Sequence, residues 1–187
     1  MSVFGGVALG AEITGSYTAV PYLPTFPLDT GYILGVTFGA DVTPNLRGEF
    51  ELSYANHSAT GTAISVPGPH HFPESGSVST VYLLGNLWYD IDAGSGITPY
   101  IGGGLGAGYV MPNFISGSWS YSTPYWAPAA QVGVGVKFAL ADKVGLDLGY
   151  RLRATFNGTM IGNGGASNVS GTTTIDQTLQ VGLNFGF

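Results

Sequence analysis

Charged side chains, cysteine and long apolar runs are all scarce or absent in this sequence. Charged residues make up 9% of the 187 positions, against roughly 25% in an average soluble domain. Only five residues are Lys or Arg and the formal net charge is −6, so the clustered basic surface that a nucleic-acid partner requires is excluded. Cysteine does not occur, which excludes disulfides and thiolate metal sites.

A membrane-spanning helix is also excluded, because it needs about 20 consecutive apolar residues. Here Gly, Thr, Ser or Asn interrupts every apolar stretch after a few positions. The sequence is instead rich in small and aromatic residues, with 31 Gly, 11 Tyr, 10 Phe and 3 Trp. Low charge combined with abundant Gly and Tyr favours a transmembrane β-barrel. Because the strand pattern starts directly after Met1, we expect the chain to be the mature form of an exported protein.

Alternation of apolar and polar residues predicts eight strands. They run at about 1–14, 30–43, 46–58, 76–92, 97–111, 125–141, 143–156 and 172–187. Tight turns alternate with four long segments rich in Gly, Ser, Thr, Asn and Pro, namely 15–29, 59–75, 112–124 and 157–171. An even number of strands with loops segregated in this way predicts one all-β domain, an antiparallel up-and-down transmembrane barrel with both termini on the short-turn side.

The same alternation sorts the charges onto one face of the strands. The predicted polar network consists of Glu12, Arg47, Glu49, Glu51, Lys137, Asp147, Arg151, Arg153 and Asp176. A soluble barrel would carry these charges outside, whereas a transmembrane barrel would carry them inside. The polar face is crowded with glycine (102, 104, 106 and 108) and the other face is bulky and apolar. Aromatic residues also cluster near strand ends, so we expect the polar face to line a narrow interior.

Two hypotheses follow for that interior. In the first, the inward acids and bases pair into a salt-bridged, hydrogen-bonded core, because buried charges must be compensated. In the second, the interior is a narrow, cation-preferring channel for water or small solutes, since acids outnumber bases. An eight-stranded barrel is just wide enough for side chains to fill, but the inward glycines leave gaps for water. If those gaps are continuous, the channel hypothesis holds; if they are isolated, the interior is a closed core.

The C-terminal strand carries a recognisable pattern. Gln180, Gly182, Phe185 and the terminal Phe187 match the assembly signal of outer-membrane barrels, and segments 86–91 and 98–104 resemble the central hairpin of OmpA-like and opacity-like barrels. The chain thus resembles this porin family of small barrels over its whole length. The resemblance implies a Gram-negative outer membrane, periplasmic termini and extracellular loops, with membrane lipid and the barrel assembly machinery as partners. It implies no particular function, because the family is functionally diverse.

Catalysis and metal binding find little support. The pair His57-Ser58 invites comparison with lipid A deacylases, but their motif is His-any-Ser-Asn, and the alternation points His57 inward. No nucleophile with a base and an orienting group is evident, so we expect no enzyme, and a lipid-modifying enzyme is the weakest alternative. His70 and His71 lie near Glu74, but further metal ligands are not specified. We therefore predict a plain exposed loop there, with no metal or cofactor.

The long segments carry aromatic residues with almost no charge. The candidate contacts are Tyr22, Phe26, Phe72, Phe114, Trp119 and Tyr121. Exposed aromatics mark interaction sites, but the same rings could anchor at the lipid interface or pack on each other. Our leading hypothesis is a structural or surface-interaction barrel with a closed polar core, whose loops contact a surface ligand or a neighbouring membrane protein.

Overall fold

A computed structural model describes residues 1–17, 23–66, 70–92, 94, 96–163 and 168–186, with only the backbone of 63, 65, 66 and 70–72. Its strands are β1 (Ser2–Tyr17), β2 (Leu23–Leu28), β3 (Gly31–Thr43), β4 (Leu46–Ala59), β5 (Thr62–Val66), β6 (His70–Asp90), β7 (Ile97–Ser116), β8 (Trp119–Tyr121), β9 (Tyr125–Ala141), β10 (Val144–Met160) and β11 (Val169–Phe185). Over these ranges, no helix is long and apolar enough to cross a membrane.

Eight long strands close into a ring in the order β1-β3-β4-β6-β7-β9-β10-β11, and each pairs antiparallel with its neighbours. Because β11 pairs back onto β1, this ring has no free edge. The N-terminal amine donates to the Phe185 carbonyl oxygen at 3.1 Å, so the two chain ends meet. The predicted eight-stranded antiparallel barrel is therefore confirmed. We call the end that holds Met1 and Phe185 the terminal end, and the opposite end the far end.

The three short strands build a second ring at the far end. Beyond Ala8, β1 exchanges its partner β3 for β2, which pairs with β5, and β5 pairs with β6. On the opposite side β8 pairs with β7, and a bridge between Tyr121 and Gly162 joins it to the end of β10. Strand pairing thus continues beyond the first ring, where the sequence predicted only loops.

The predicted loops 15–29, 59–75, 112–124 and 157–171 are therefore wrong in part. β2, β5 and β8 lie within the first three, and long strands extend into all four. The physical reason is pairing: strands that project beyond the first ring expose backbone donors and acceptors, and the short strands satisfy them. Gly, Ser, Thr and Pro in these segments do not prevent such edge pairing.

A β-bulge marks the point where β1 changes partner. The register shifts between Ala8 and Ala11, and Gly10 has φ = +119°, a value that side-chain-bearing residues rarely adopt. The extra residue reverses the alternation, so Ile13 is fully buried inside the barrel and Glu12 is exposed on the outside. The prediction that Glu12 joins the interior network is wrong for this reason.

The outer surface of the first ring is an apolar belt. Its outward side chains include Val3, Val7, Leu34, Phe38, Phe50, Leu52, Leu87, Ile101, Leu105, Val132, Val134, Leu148, Leu152, Leu179 and Val181, among which Leu105 is 74% exposed. Toward the far end the outward residues become polar, with Ser75, Ser77 and Ser79 following the belt on β6. The predicted arrangement, with the apolar face outward and the charges inward, is therefore confirmed.

Candidate functional site: the barrel interior

The interior begins at the terminal end with an ion cluster. The Asp90 carboxylate accepts from Lys137 Nζ at 2.6 Å and from Arg47 Nε at 3.3 Å. Arg47 also pairs with Glu49, which accepts from the indole nitrogen of Trp88 at 2.9 Å. Since these residues come from β4, β6 and β9, the cluster ties three strands together across the lumen.

The next level is built on aromatic rings. The Arg151 guanidinium lies 4.3 Å from the Trp88 ring centroid and donates to the Tyr100 hydroxyl at 2.7 Å. That hydroxyl donates in turn to Asp147 at 2.7 Å. A methyl group at Gly135 would overlap the Tyr100 ring, so this glycine makes room for it. The inward glycines thus create space that large neighbouring side chains fill, leaving a lined cavity of ≈ 30 Å³, enough for about two waters.

Above it lies what we call the polar layer, centred on a buried ion pair. Arg153 Nη2 donates to Glu51 Oε1 at 2.9 Å, and the two residues are 0% and 3% exposed. Glu51 accepts further bonds from Ser53, Asn86 and Gln131 at 2.7–3.2 Å. Hydrogen bonds of this kind offset the cost of removing the two charges from water.

The strand β11 completes the polar layer. Arg153 Nη1 donates to the Thr178 hydroxyl at 2.7 Å. The Gln180 amide, oriented to satisfy its neighbours, accepts from the Arg153 guanidinium at 2.9 Å. The layer therefore draws side chains from β4, β6, β9, β10 and β11, and it spans the lumen. Apart from Glu12, the predicted network residues all point inward.

A histidine–carboxylate pair follows toward the far end. His57 Nε2 lies 3.3 Å from Asp176 Oδ1, and His57 Nδ1 lies 3.1 Å from the Asp29 carbonyl oxygen. Ser58 is exposed, on the opposite face of the strand from His57. These two residues therefore do not form a nucleophile–base pair. In the part of the chain that is described, no group of three or more His, Asp or Glu could hold a metal ion.

The far end of the lumen is filled by what we call the apolar cap. It comprises Ala11, Ile13, Phe26, Leu28, Ala59, Val78, Val110, Phe114, Tyr121, Met160 and Val169, all buried. The Phe26 ring lies 5.6 Å from Phe114 and 5.7 Å from Tyr121, both edge-on, and the latter two stack at 5.1 Å. Side chains from both rings of strands therefore close the lumen a second time.

The apolar cap corrects part of the contact prediction. Phe26, Phe114 and Tyr121 were candidate surface contacts, but they are 0–2% exposed and pack on each other. Trp119 is partly buried against the same cluster. The predicted contacts at Tyr22 and the Phe72 side chain lie outside the described residues, as do the imidazoles of His70 and His71.

The far end also buries an acid in a segment that the sequence predicts to be a loop. Glu74 is 5% exposed, on β6 beyond the apolar belt. Burial, and then the negative charge of Asp29, raise the pKa of the Glu74 carboxyl to about 7. No described group donates a hydrogen bond to either of its carboxylate oxygens.

Several interior residues escaped the sequence prediction. Asn86, Gln131 and Thr178 are neutral, and the predicted network was built from charges alone. Trp88 and Tyr100 were not part of the predicted network either, although each hydrogen-bonds to an acid. Alternation could have identified these five residues, because each lies at an inward-facing position of its strand. In the terminal motif, Gln180 and Gly182 point inward and Phe185 outward; Phe187 lies outside the described residues, and the motif's role in assembly stays a prediction.

A closed antiparallel barrel with an apolar outside and a charged inside is the architecture of an integral outer-membrane protein. This chain belongs to the family described as the outer membrane protein beta-barrel domain, whose model matches residues 3–187. The family places the protein in a bacterial outer membrane.

Curated relatives of unassigned function occur in Brucella. An uncharacterized protein of Brucella abortus (strain 2308) is 27% identical over 159 residues, which cover 73% of this chain and 56% of that protein. An uncharacterized protein of Brucella suis biovar 1 matches equally well. The chain thus spans little more than half the length of these relatives, and they suggest no activity.

Three solved structures share the fold. Neisserial surface protein A (NspA) superposes with a TM-score of 0.53 at 18% identity, covering 98% of this chain and 97% of that chain. OprG of Pseudomonas aeruginosa gives 0.53 at 16% identity, covering 100% and 95%. The outer membrane enzyme PagL gives 0.54 at 17%, covering 97% and 98%. At such low identity the likeness establishes the barrel and not an activity.

Proposed function

We propose that the protein is a closed structural barrel that acts through its outer surface and far end, not through its lumen. The observation that carries this proposal is double closure: the polar layer around Arg153 and Glu51, and the apolar cap around Phe26 and Phe114. A solute crossing the lumen would have to break a fully buried ion pair and then displace packed aromatic rings. Both steps are costly.

The chemistry of the far end limits its partners. Four of the five basic residues, Arg47, Lys137, Arg151 and Arg153, lie in the lumen, and Lys143 lies in a turn at the terminal end. The far end therefore offers no Lys or Arg to a polyanion, whose recognition depends on them. Its outward Ser and Asn side chains suit hydrogen bonding to a neutral or polar surface ligand, or to a neighbouring membrane protein.

The proposal includes an orientation, with the terminal end in the periplasm and the far end outside the cell. Because the chain lacks cysteine, single-cysteine variants give an unambiguous test. On intact cells, a membrane-impermeant maleimide is expected to label Ser118→Cys, in the exposed β7–β8 turn, and to spare Asp142→Cys, in the β9–β10 turn. Labelling of Asp142→Cys alone would reverse the orientation.

The functional test is solute flux through proteoliposomes. Vesicles that contain the folded barrel are expected to swell in small sugars or amino acids no faster than protein-free vesicles. An open porin in matched vesicles provides the positive control. Swelling well above the protein-free rate would overturn the closed-barrel proposal.

The alternative is a narrow, cation-preferring channel, which the polar cavity in the terminal half of the lumen favours. Glu49, Glu51 and Asp147, with Arg47 and Arg151, line a polar cavity there. Conduction would require the polar layer and the apolar cap to rearrange together. Flux that falls when Glu49 and Glu51 are both replaced by Gln would support this alternative.

Catalysis is not part of the proposal. His57 faces the lumen, with Nδ1 3.1 Å from the Asp29 carbonyl oxygen and Nε2 3.3 Å from the Asp176 carboxylate, and it is turned away from lipid substrate. Lipid A from cells that produce the protein is expected to have the same mass spectrum as lipid A from cells that lack it. Loss of an acyl chain only in the producing cells would establish a lipid-modifying enzyme instead.

A further inference from the structure

Glu74 is a buried carboxyl that nothing else in the described fold explains. Both of its carboxylate oxygens are inaccessible to water and lack a hydrogen-bond partner among the described groups. Glu74 lies at an inward-facing position of β6, and its partner across the strands is the buried Ser116 of β7. An uncompensated carboxylate in such a place is strongly unfavourable, whereas Glu51, the other buried glutamate, has an arginine and three neutral donors.

The surroundings of Glu74 are rich in oxygen. The negative charge of Asp29 acts on Glu74, and the charge of Glu74 acts on the Tyr17 hydroxyl, which hydrogen-bonds to Tyr121. The β4–β5 connection draws the two acids to the same region, because the Thr60 hydroxyl donates to the Asp29 carboxylate and the next carbonyl, of Gly61, accepts from the Glu74 amide. Asp29 is exposed, so the region opens toward solvent on that side.

We propose that Glu74, with Asp29, forms a binding site for a hard divalent cation, Ca²⁺ or Mg²⁺, at the far end of the barrel. Two negative charges, with oxygen atoms as the surrounding polar groups, match the preference of these ions for carboxylate, hydroxyl, carbonyl and water ligands. The bound cation supplies the compensation that no described group gives to the Glu74 carboxylate. Because two carboxylates are fewer than a full ligand set, neutral oxygens and water complete the coordination.

The site has a structural consequence. Asp29 joins β2 to β3, and Glu74 lies on β6 beside β5. A cation between the two acids therefore fastens the second ring of strands, from β2 across β5 to β6. Binding to the folded protein alone stabilises it by mass action, and the gain depends on the Glu74 charge.

Thermal unfolding of the refolded barrel in an uncharged detergent tests the proposal. The buffer is alkaline, so that Glu74 is ionised, and the ionic strength is held constant. Added Ca²⁺ or Mg²⁺ is expected to raise the Tm of the wild type. Glu74→Gln is expected to weaken the apparent affinity by about tenfold or more, and Asp29→Asn to weaken it as well. Glu12→Gln, which removes an exposed acid on the outer face, is the matched control and keeps the wild-type response.

Terbium luminescence gives a second readout that does not require the variants to be equally stable. Tb³⁺ replaces Ca²⁺ at oxygen sites, and tyrosine excitation sensitises it only at close range. Tb³⁺ bound beside Tyr17 and Tyr121 is expected to emit on tyrosine excitation and to be displaced by Ca²⁺. Equal cation responses in the wild type and Glu74→Gln, or no wild-type response in either experiment, would overturn the proposal.

Discussion

Two adjacent residues, Glu12 and Ile13, show how strongly the direction of a single side chain matters. The bulge at Gly10 places the charge outside and the isoleucine in the apolar cap. We expect Glu12→Ala to change the free energy of unfolding by less than about 0.5 kcal/mol, and Ile13→Ala to lower it by about 2–5 kcal/mol. Equilibrium urea unfolding in lipid vesicles measures both. The reverse order of costs would mean that the alternation is not reversed at the bulge.

The apolar belt makes an equally direct prediction. Leu148 lies on the outward face of β10 and is 42% exposed toward the lipid. Leu148→Arg is expected to cost about 2–4 kcal/mol in folding free energy, measured by the same unfolding experiment. Gly145→Ser on the inward face of the same strand is the control, with a smaller cost. A harmless Leu148→Arg would contradict the assigned lipid face.

The ion pair of the polar layer predicts a contrast between single and double changes. Arg153→Ala leaves the Glu51 carboxylate buried without its main partner, so we expect a loss of about 3–5 kcal/mol in unfolding free energy. Replacing both residues together, by Arg153→Met and Glu51→Leu, removes the uncompensated charge and is expected to cost less. A double variant less stable than Arg153→Ala would show that Glu51 is satisfied without the arginine.

At the scale of strands, the partner exchange of β1 depends on the glycine at its bulge. Gly10 has φ = +119°, so Gly10→Ala forces a strained backbone and is expected to cost about 1–3 kcal/mol. Gly48→Ala is the matched control, because an added methyl group there meets only ordinary side-chain contacts at 3.4 Å or more. Thermal unfolding in detergent compares the two. Equal stability of both variants would show that the bulge does not require glycine.

The first ring could be predicted from the sequence because its physical cause is local. Residues such as Leu148 and Arg151 alternate along one strand, and lipid outside with a narrow interior inside fixes which goes where. The second ring could not be predicted in this way. The pairing of β2 with β5, and of Tyr121 with Gly162, joins segments distant in the chain, and a pattern within either segment does not encode its partner.

The residues of the barrel interior could also be predicted only in part. Charges such as Arg47 and Glu51 appeared on the correct face because alternation is reliable inside an unbroken strand. Glu12 failed because one extra residue at Gly10 reverses every position after it. The burial of Phe26 and Phe114 also escaped prediction, since it depends on the second ring enclosing a region that the sequence suggested was open loop.

At the scale of the whole molecule, the barrel is organised along its axis. An ion cluster at the terminal end is followed by the aromatic level around Tyr100, the polar layer, and the apolar cap. Each level contains side chains from several strands. The same contacts therefore close the lumen and stabilise the barrel. This arrangement explains how an interior with four Lys and Arg side chains remains compact in a membrane protein.

Single-channel conductance of the refolded barrel in a planar bilayer tests the closed lumen most directly. Folding is verified beforehand by a heat-dependent gel shift, and an open porin added to the same bilayer confirms that insertion can be detected. A bilayer that stays silent with the wild-type barrel inserted is the predicted result. Steady cation-selective openings that disappear when Glu49 and Glu51 are replaced would contradict the closed lumen and establish a channel.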